Sequence, residues 1–218
     1  MNPRERRLST ALAALAAALA LGWPAPAEAV SSWHLGVRGG TLELSSGPYD
    51  AVYGESPTAL GLQAEARFGN EAFFVRLAAD RGEADGELIA PRPGGGILRT
   101  GEPTEITVTP IHFSAGLVDP GRIGPATFGY YVGGGLTWLD QEEDNRIETT
   151  SGSGTGLHAV LGVRWHLGGP DGRVAVGAEA LWFSASGVFD GGAAALLDDE
   201  DLDGLSLTGL VTFRLGGR

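Results

Sequence analysis

Runs of about ten residues in which apolar and small or polar side chains alternate recur eight times along this chain, and no other feature restricts its fold as much. In the last run Leu205, Leu207, Val211, Phe213 and Leu215 share one parity, while Ser206, Thr208, Thr212 and Arg214 share the other. A period of two is the signature of β-strand. The runs fall near residues 32–44, 58–68, 71–83, 104–117, 126–140, 155–167, 173–186 and 204–215. Eight strands of this length behind an export signal describe an all-β architecture, an eight-stranded antiparallel up-and-down barrel closed across a membrane.

The export signal is at the N-terminus. Arg4, Arg6 and Arg7 precede an unbroken Ala/Leu stretch from Ala11 to Leu21, and Ala27-Glu28-Ala29 offers small residues at a cleavage point. Residues 1–29 therefore read as a signal peptide, since the apolar stretch is far short of the roughly 20 residues a membrane helix needs. Residues 30–218, 189 in all, remain as one barrel domain. They hold 12 arginines, no lysine and 25 acidic residues, a net charge of −13, which argues against a nucleic-acid partner. Cysteine is absent, so disulfides and thiolate metal sites are excluded.

The connections set the orientation. Gly69-Asn70, Gly169-Pro170-Asp171-Gly172 and the slightly longer Asp119 to Gly124 are turn sequences after strands two, four and six. The segments Ser45 to Pro57, Gly82 to Pro103, Gln141 to Gly154 and Gly187 to Asp203 are longer, and Gly-, Pro- or acid-rich. Short turns at one end and long loops at the other match barrels of the bacterial outer membrane, with the turns periplasmic. The aromatics follow the same frame. Trp33, Phe68, Phe73, Phe128, Tyr130, Trp165 and Phe213 fall at the short-turn end, with Trp138 and Trp182 toward the other, giving two interfacial girdles.

The parity opposite the apolar one carries Arg38, Glu65, Arg67, Arg76, Asp80, Arg164, Glu179 and Arg214 among Gly and Ser. An arginine facing lipid costs about 2–4 kcal/mol at the bilayer midplane, so this parity is expected to line the lumen. There the charges should form arginine–carboxylate pairs with Glu65, Asp80 and Glu179 as acceptors. Arg38, Arg67 and Arg214, near strand ends, have solvation as their alternative. In strand four the apolar parity changes around Pro110, which a β-bulge would explain. His34, His112, His158 and His166 are scattered over the strands and read as separate lumen hydrogen-bonding groups.

Gly129-Tyr130-Tyr131-Val132-Gly133-Gly134-Gly135-Leu136 is similar to the aromatic-Val-Gly-x-Gly fifth strand of the eight-stranded outer-membrane β-barrel family, which includes the OmpA membrane domain and OmpX. The resemblance covers essentially all of residues 30–218 and implies residence in the bacterial outer membrane. It also implies contact with outer-membrane lipid and lipopolysaccharide, and insertion by the outer-membrane assembly machinery. One departure stands at the C-terminus, where Phe213 is followed by Arg214-Leu215-Gly216-Gly217-Arg218 instead of a terminal aromatic.

Some relatives in this family modify lipid A, using a His two residues before a nucleophilic Ser on a late strand. Here Leu181-Trp182-Phe183-Ser184 has Trp182 in the place of that base, so no catalytic residue is assigned. Asp199, Asp201 and Asp203 make up the front half of an EF-hand loop, but Leu210 stands where its bidentate Glu belongs. Weak cation binding is the most such a cluster implies. The expected function is a non-catalytic outer-membrane barrel with a side-chain-filled lumen, needing no cofactor and acting in envelope structure or through its loops. The alternatives are a lipid A-modifying barrel enzyme and a secreted soluble barrel for an apolar ligand.

Overall fold

The computed structural model describes residues 30–54, 56–69, 71–91, 97–119, 128–145, 148–169, 172–188 and 201–216. Eight strands form in chain order: β1 (Val30–Ser45), β2 (Thr58–Phe68), β3 (Phe73–Pro91), β4 (Ile97–Asp119), β5 (Phe128–Asn145), β6 (Thr149–Leu167), β7 (Val174–Ser186) and β8 (Leu202–Leu215). They close as β1-β2-β3-β4-β5-β6-β7-β8, with β8 antiparallel to β1 from Trp33↔Leu215 to Ser45↔Asp203. Within the apolar band closure pairs the strands without leaving an edge, as a bilayer interior demands. The signal peptide at 1–29 lies outside the described residues.

β3 to β6 run much farther outward than the alternation of apolar residues suggests. The segment from Gly82 to Pro103 is mostly a β3–β4 hairpin, and Gln141 to Gly154 is mostly the paired ends of β5 and β6. The Ser45 to Pro57 connection holds a short helix, α1 (Gly47–Val52), capped by Ser46 Oγ, which accepts from the Tyr49 N–H at 3.0 Å. Of the fourth connection, residues 189–200 lie outside the described residues.

Along each strand the inward parity is constant while its chemistry inverts. On β5 the outward residues are Phe128, Tyr130, Val132, Gly134, Leu136 and Trp138, and then Asp140, Glu142 and Asp144. The inward ones are Tyr131, Gly133, Gly135 and Thr137, and then Leu139. The apolar outer band covers eleven residues of β5, Phe128 to Trp138, the length a tilted strand needs to cross a bilayer. Its upper limit passes from strand to strand in register, since Ala79 pairs with Ile111 and Ile111 with Trp138.

Above that limit the barrel is built like a water-soluble one. Leu42, Leu44, Ile106, Val108, Leu139, Phe183 and Leu202 point inward and are buried, while Glu43, Glu83, Asp85 and Glu105 point outward and are exposed. α1 completes this core with Tyr49 and Val52. The same inversion removes the bulge expected at Pro110: β4 pairs regularly with β5 from Val108↔Gln141 through Pro110↔Leu139 to His112↔Thr137. Ile106, Val108 and Pro110 face in above the membrane, and Ile111 and Phe113 face out within it. The apolar parity switches because the surroundings switch.

Candidate functional site

The lumen within the apolar band is filled by charged side chains in two groups. In the upper group Arg38 Nε lies 2.9 Å from Asp80 Oδ1, and Arg38 Nη2 lies 3.1 Å from Glu179 Oε1. Arg76 Nη1 donates to Glu179 Oε2, and the Tyr131 hydroxyl donates to the same oxygen at 2.6 Å. In the lower group Arg164 grips Glu65 with two hydrogen bonds of 2.6 Å, and Arg67 Nε donates to Glu65 Oε1 at 2.8 Å. Glu71 then joins Arg67 at 3.4 Å to Arg214 and accepts from the Ser32 hydroxyl at 3.0 Å. Bidentate pairs fix orientation as well as charge, so β6 is tied across the lumen to β2, and β1, β3 and β5 meet β7 at Glu179.

All eight lumen residues expected from the sequence meet here. Arg38 and Arg67 are buried and paired, so solvation does not describe them. Arg214 is partly exposed and paired with Glu71. Three members were missed, Tyr131, Glu71 and Ser32. Tyr131 belongs to the inward parity of β5, but its flanking aromatics suggested a lipid-facing girdle. Glu71, set at the start of the third run by the sequence, lies instead in the β2–β3 turn, because its φ of 71° is not that of a strand and β3 begins at Phe73. That left-handed conformation is uncommon for a non-glycine residue.

Aromatic rings supply the rest of the filling, each over an inward glycine. A Cβ on Gly162 would lie 2.2 Å from Tyr131 Cζ, and one on Gly204 would lie 2.2 Å from Phe183 Cζ. Phe74 occupies the space above Gly116 and Gly133 in the same way. Tyr131 meets Phe74 edge-on at 5.8 Å and carries the Arg164 guanidinium 4.6 Å from its ring centroid. The abundance of glycine within the strands thus makes room for rings inside a narrow barrel.

Two of the four histidines are brought together. The Thr137 hydroxyl lies 2.9 Å from His112 Nδ1 and 3.0 Å from His158 Nδ1, and His158 Nε2 lies 2.8 Å from Ser114 Oγ. The sequence separates these residues by strands, and only the register aligns them. Above this polar layer sits the apolar core under α1. There the Tyr53 phenol is buried in the field of the inward Glu143 carboxylate, which accepts from the Thr104 hydroxyl at 3.2 Å. Burial first, and then Glu143, push that phenol well above its ordinary range, so it stays protonated.

The expected girdle residues all lie on the outward parity. Trp33, Phe73, Phe128, Tyr130, Trp138, Trp165, Trp182 and Phe213 are exposed, and Phe68 is half-buried opposite Phe73. Ser184 is on that outward parity too, whereas His34, His112, His158 and His166 are on the inward one. Ser184 has no histidine on its face among the described residues. Asp199 lies outside the described residues, and Asp201 and Asp203 are exposed.

Two solved structures share the architecture. Neisserial surface protein A is 16% identical, with a TM-score of 0.56 over 84% of this chain and 97% of its own. OprG, an outer-membrane protein of Pseudomonas aeruginosa, is 14% identical, with a TM-score of 0.51 over 87% of this chain and 99% of its own. No curated protein matches the sequence. The model of the outer membrane protein beta-barrel domain matches residues 11–207. With a closed eight-stranded ring, an apolar outer band and that match over most of its length, this chain belongs to the outer-membrane protein β-barrel family and resides in the bacterial outer membrane.

Proposed function

We propose that this barrel is a non-catalytic, non-conducting outer-membrane protein that acts through the rigid structure it presents outside the cell. The observation that carries the reading is the double closure of its interior. Arg38, Arg76, Arg164, Glu65, Asp80 and Glu179 fill the membrane-spanning half, and the apolar core under α1 fills the outer half. An eight-stranded cylinder has room for little besides its own side chains, while water-filled pores take about sixteen strands.

The outward face of the outer half supports the second part of the reading. Glu83, Asp85, Glu105 and Asp144 are exposed on β3, β4 and β5 above the lipid band, and Asp85 is opposite Glu105. Lipopolysaccharide would surround this wall, and the assembly machinery would insert the barrel; a partner for the outer extension is sought among surface molecules. Purified protein in planar bilayers should give no discrete conductance steps. Lipid A from cells with and without the protein should have identical mass spectra. Steady ion conduction, or an acyl-chain change abolished by Ser184→Ala, would sink the proposal.

A further inference from the structure

The polar wall above the lipid band is continuous with the surface that meets acyl chains. On β5 the outward residues run from Trp138, at the limit of the band, to Asp140, Glu142 and Asp144 without a change of parity. Each carboxylate sits on a rung shared with its neighbours. Thr109, Asp140 and Ser153 pair across β4, β5 and β6; Thr107, Glu142 and Ser151 make the next rung, and Glu105, Asp144 and Thr149 the third. Below them Trp138 lies beside Ile111 and Thr155. Thr149, Ser151, Ser153 and Thr155 are exposed, as is Trp138. A carboxylate column flanked by hydroxyl columns thus rises from an aromatic foot.

The chemistry of this ladder is one-sided. No rung carries an arginine or a histidine, and residues 30–218 hold no lysine. Ionised carboxylates only accept hydrogen bonds. A hydroxyl beside one can give it its proton, as Thr149 Oγ1 does to Asp144 Oδ1 at 3.1 Å, and then turns lone pairs outward. A partner must therefore bring donors. The phosphate of a lipid head is itself an anionic acceptor, and carboxylates at this range repel it. A sugar head brings many hydroxyl donors and no charge, and donates the charge-assisted bonds that are the stronger kind. An ammonium head is a compact point charge. On the two lower rungs each carboxylate stands between hydroxyls across the strands, a spread of polar groups that suits a polyol better than a point.

We propose that the outward face of β4, β5 and β6 above Trp138 docks the saccharide head of an outer-leaflet glycolipid whose acyl chains lie on the apolar band below. Asp140 and Glu142 accept from sugar hydroxyls, and Ser151 and Ser153 complete the contact. The amphipathic ring of Trp138 sits at the boundary between head and chains. The inference rests on the outer extension standing in a layer of surface glycolipid, as the proposed function holds.

The test uses the folded barrel extracted into detergent, in mixed micelles with dihexosyl diacylglycerol, phosphatidylglycerol or phosphatidylethanolamine of the same acyl chains. One series contains EDTA and the other Mg²⁺. Native mass spectrometry reads the lipid retained per folded barrel. The dihexosyl lipid should be held about tenfold more tightly than either phospholipid in both series, the worth of one hydrogen bond. Glu142→Ala and Ser151→Ala should each weaken that retention roughly fivefold to tenfold. Glu43→Ala, exposed on β1 at the far side of the ring, should leave it unchanged. Heat-modifiable gel mobility confirms that each variant is folded. Equal retention of the lipids would overturn the proposal, as would a preference for phosphatidylethanolamine, or one for phosphatidylglycerol that needs Mg²⁺. So would ladder variants that retain the dihexosyl lipid as the wild type does. Ion conduction or an altered lipid A would defeat the proposed function and leave this preference in place.

Discussion

The ring of Tyr131 lies across the backbone of Gly162 so closely that a Cβ there would come within 2.2 Å of it. The ring can neither swing away nor be replaced cheaply, because its hydroxyl holds Glu179 and its face carries Arg164. Gly162→Ala should therefore lower stability by about 1–3 kcal/mol, the usual cost of overpacking. Gly209→Ala is the contrast. Its Cβ points outward and would meet only the Gly39 carbonyl oxygen, at 3.8 Å. Chemical denaturation in detergent should separate the two variants clearly.

Glu179 is the acceptor shared by Arg38, Arg76 and Tyr131. Removing one member of a buried ionic group strands the others, at about 3–5 kcal/mol. Glu179→Ala should cost that much. Arg81→Ala breaks an exposed pair with Glu83 and should cost no more than about 1 kcal/mol. The same denaturation measurement ranks them, and equal losses would contradict the view of the lumen as one tied unit.

The limit of the lipid band predicts opposite responses to one substitution on one face. Val132→Arg places a cation against acyl chains and should cost about 2–4 kcal/mol, with poor insertion into vesicles. Asp85→Arg, on the outward face beyond the band, sets a cation opposite Glu105 in place of an anion. It should be neutral or slightly stabilising, since like charges directly across a strand pair repel. Folded yield into lipid vesicles reads both.

Tyr53 gives the outer core an alkaline limit. Its phenol is raised above the ordinary 10.0 by burial and by Glu143. A group whose folded value is raised contributes stability that is complete below its unfolded value and is lost as pH rises above it. Proteolysis of the segment around α1 should be steady up to about pH 10 and increase beyond it. Tyr53→Phe should abolish that dependence.

Much of this was legible from the alternation. It revealed eight strands, their order, the parity that meets lipid, and the residues that meet inside. Three things escaped it, each for a physical reason. Gly82 to Pro103 looked like a loop from its Gly, Pro and acidic content, yet the period of two persists, with Arg81, Glu83 and Asp85 outside and Gly82 and Ala84 inside. Above the membrane the charges face out and the small residues in, so a search for apolar alternation passes over them. Glu71 lies in a turn, where periodicity has no meaning. The His112–Thr137–His158 contact depends on register between β4, β5 and β6, which hydrophobic patterning leaves open over distances of one residue pair.

The reversal of inside and outside partway up the strands has a mechanical consequence. From Arg81 to Pro91, β3 continues for eleven residues past the lipid, which at about 3.3 Å each and a tilt near 40° is a rise of roughly 25 Å. Past Gly86 β3 pairs with β4 alone, so this rise ends in a two-stranded ribbon standing on the apolar core packed under α1. A molecule that touches the tip of that ribbon does so well clear of the bilayer.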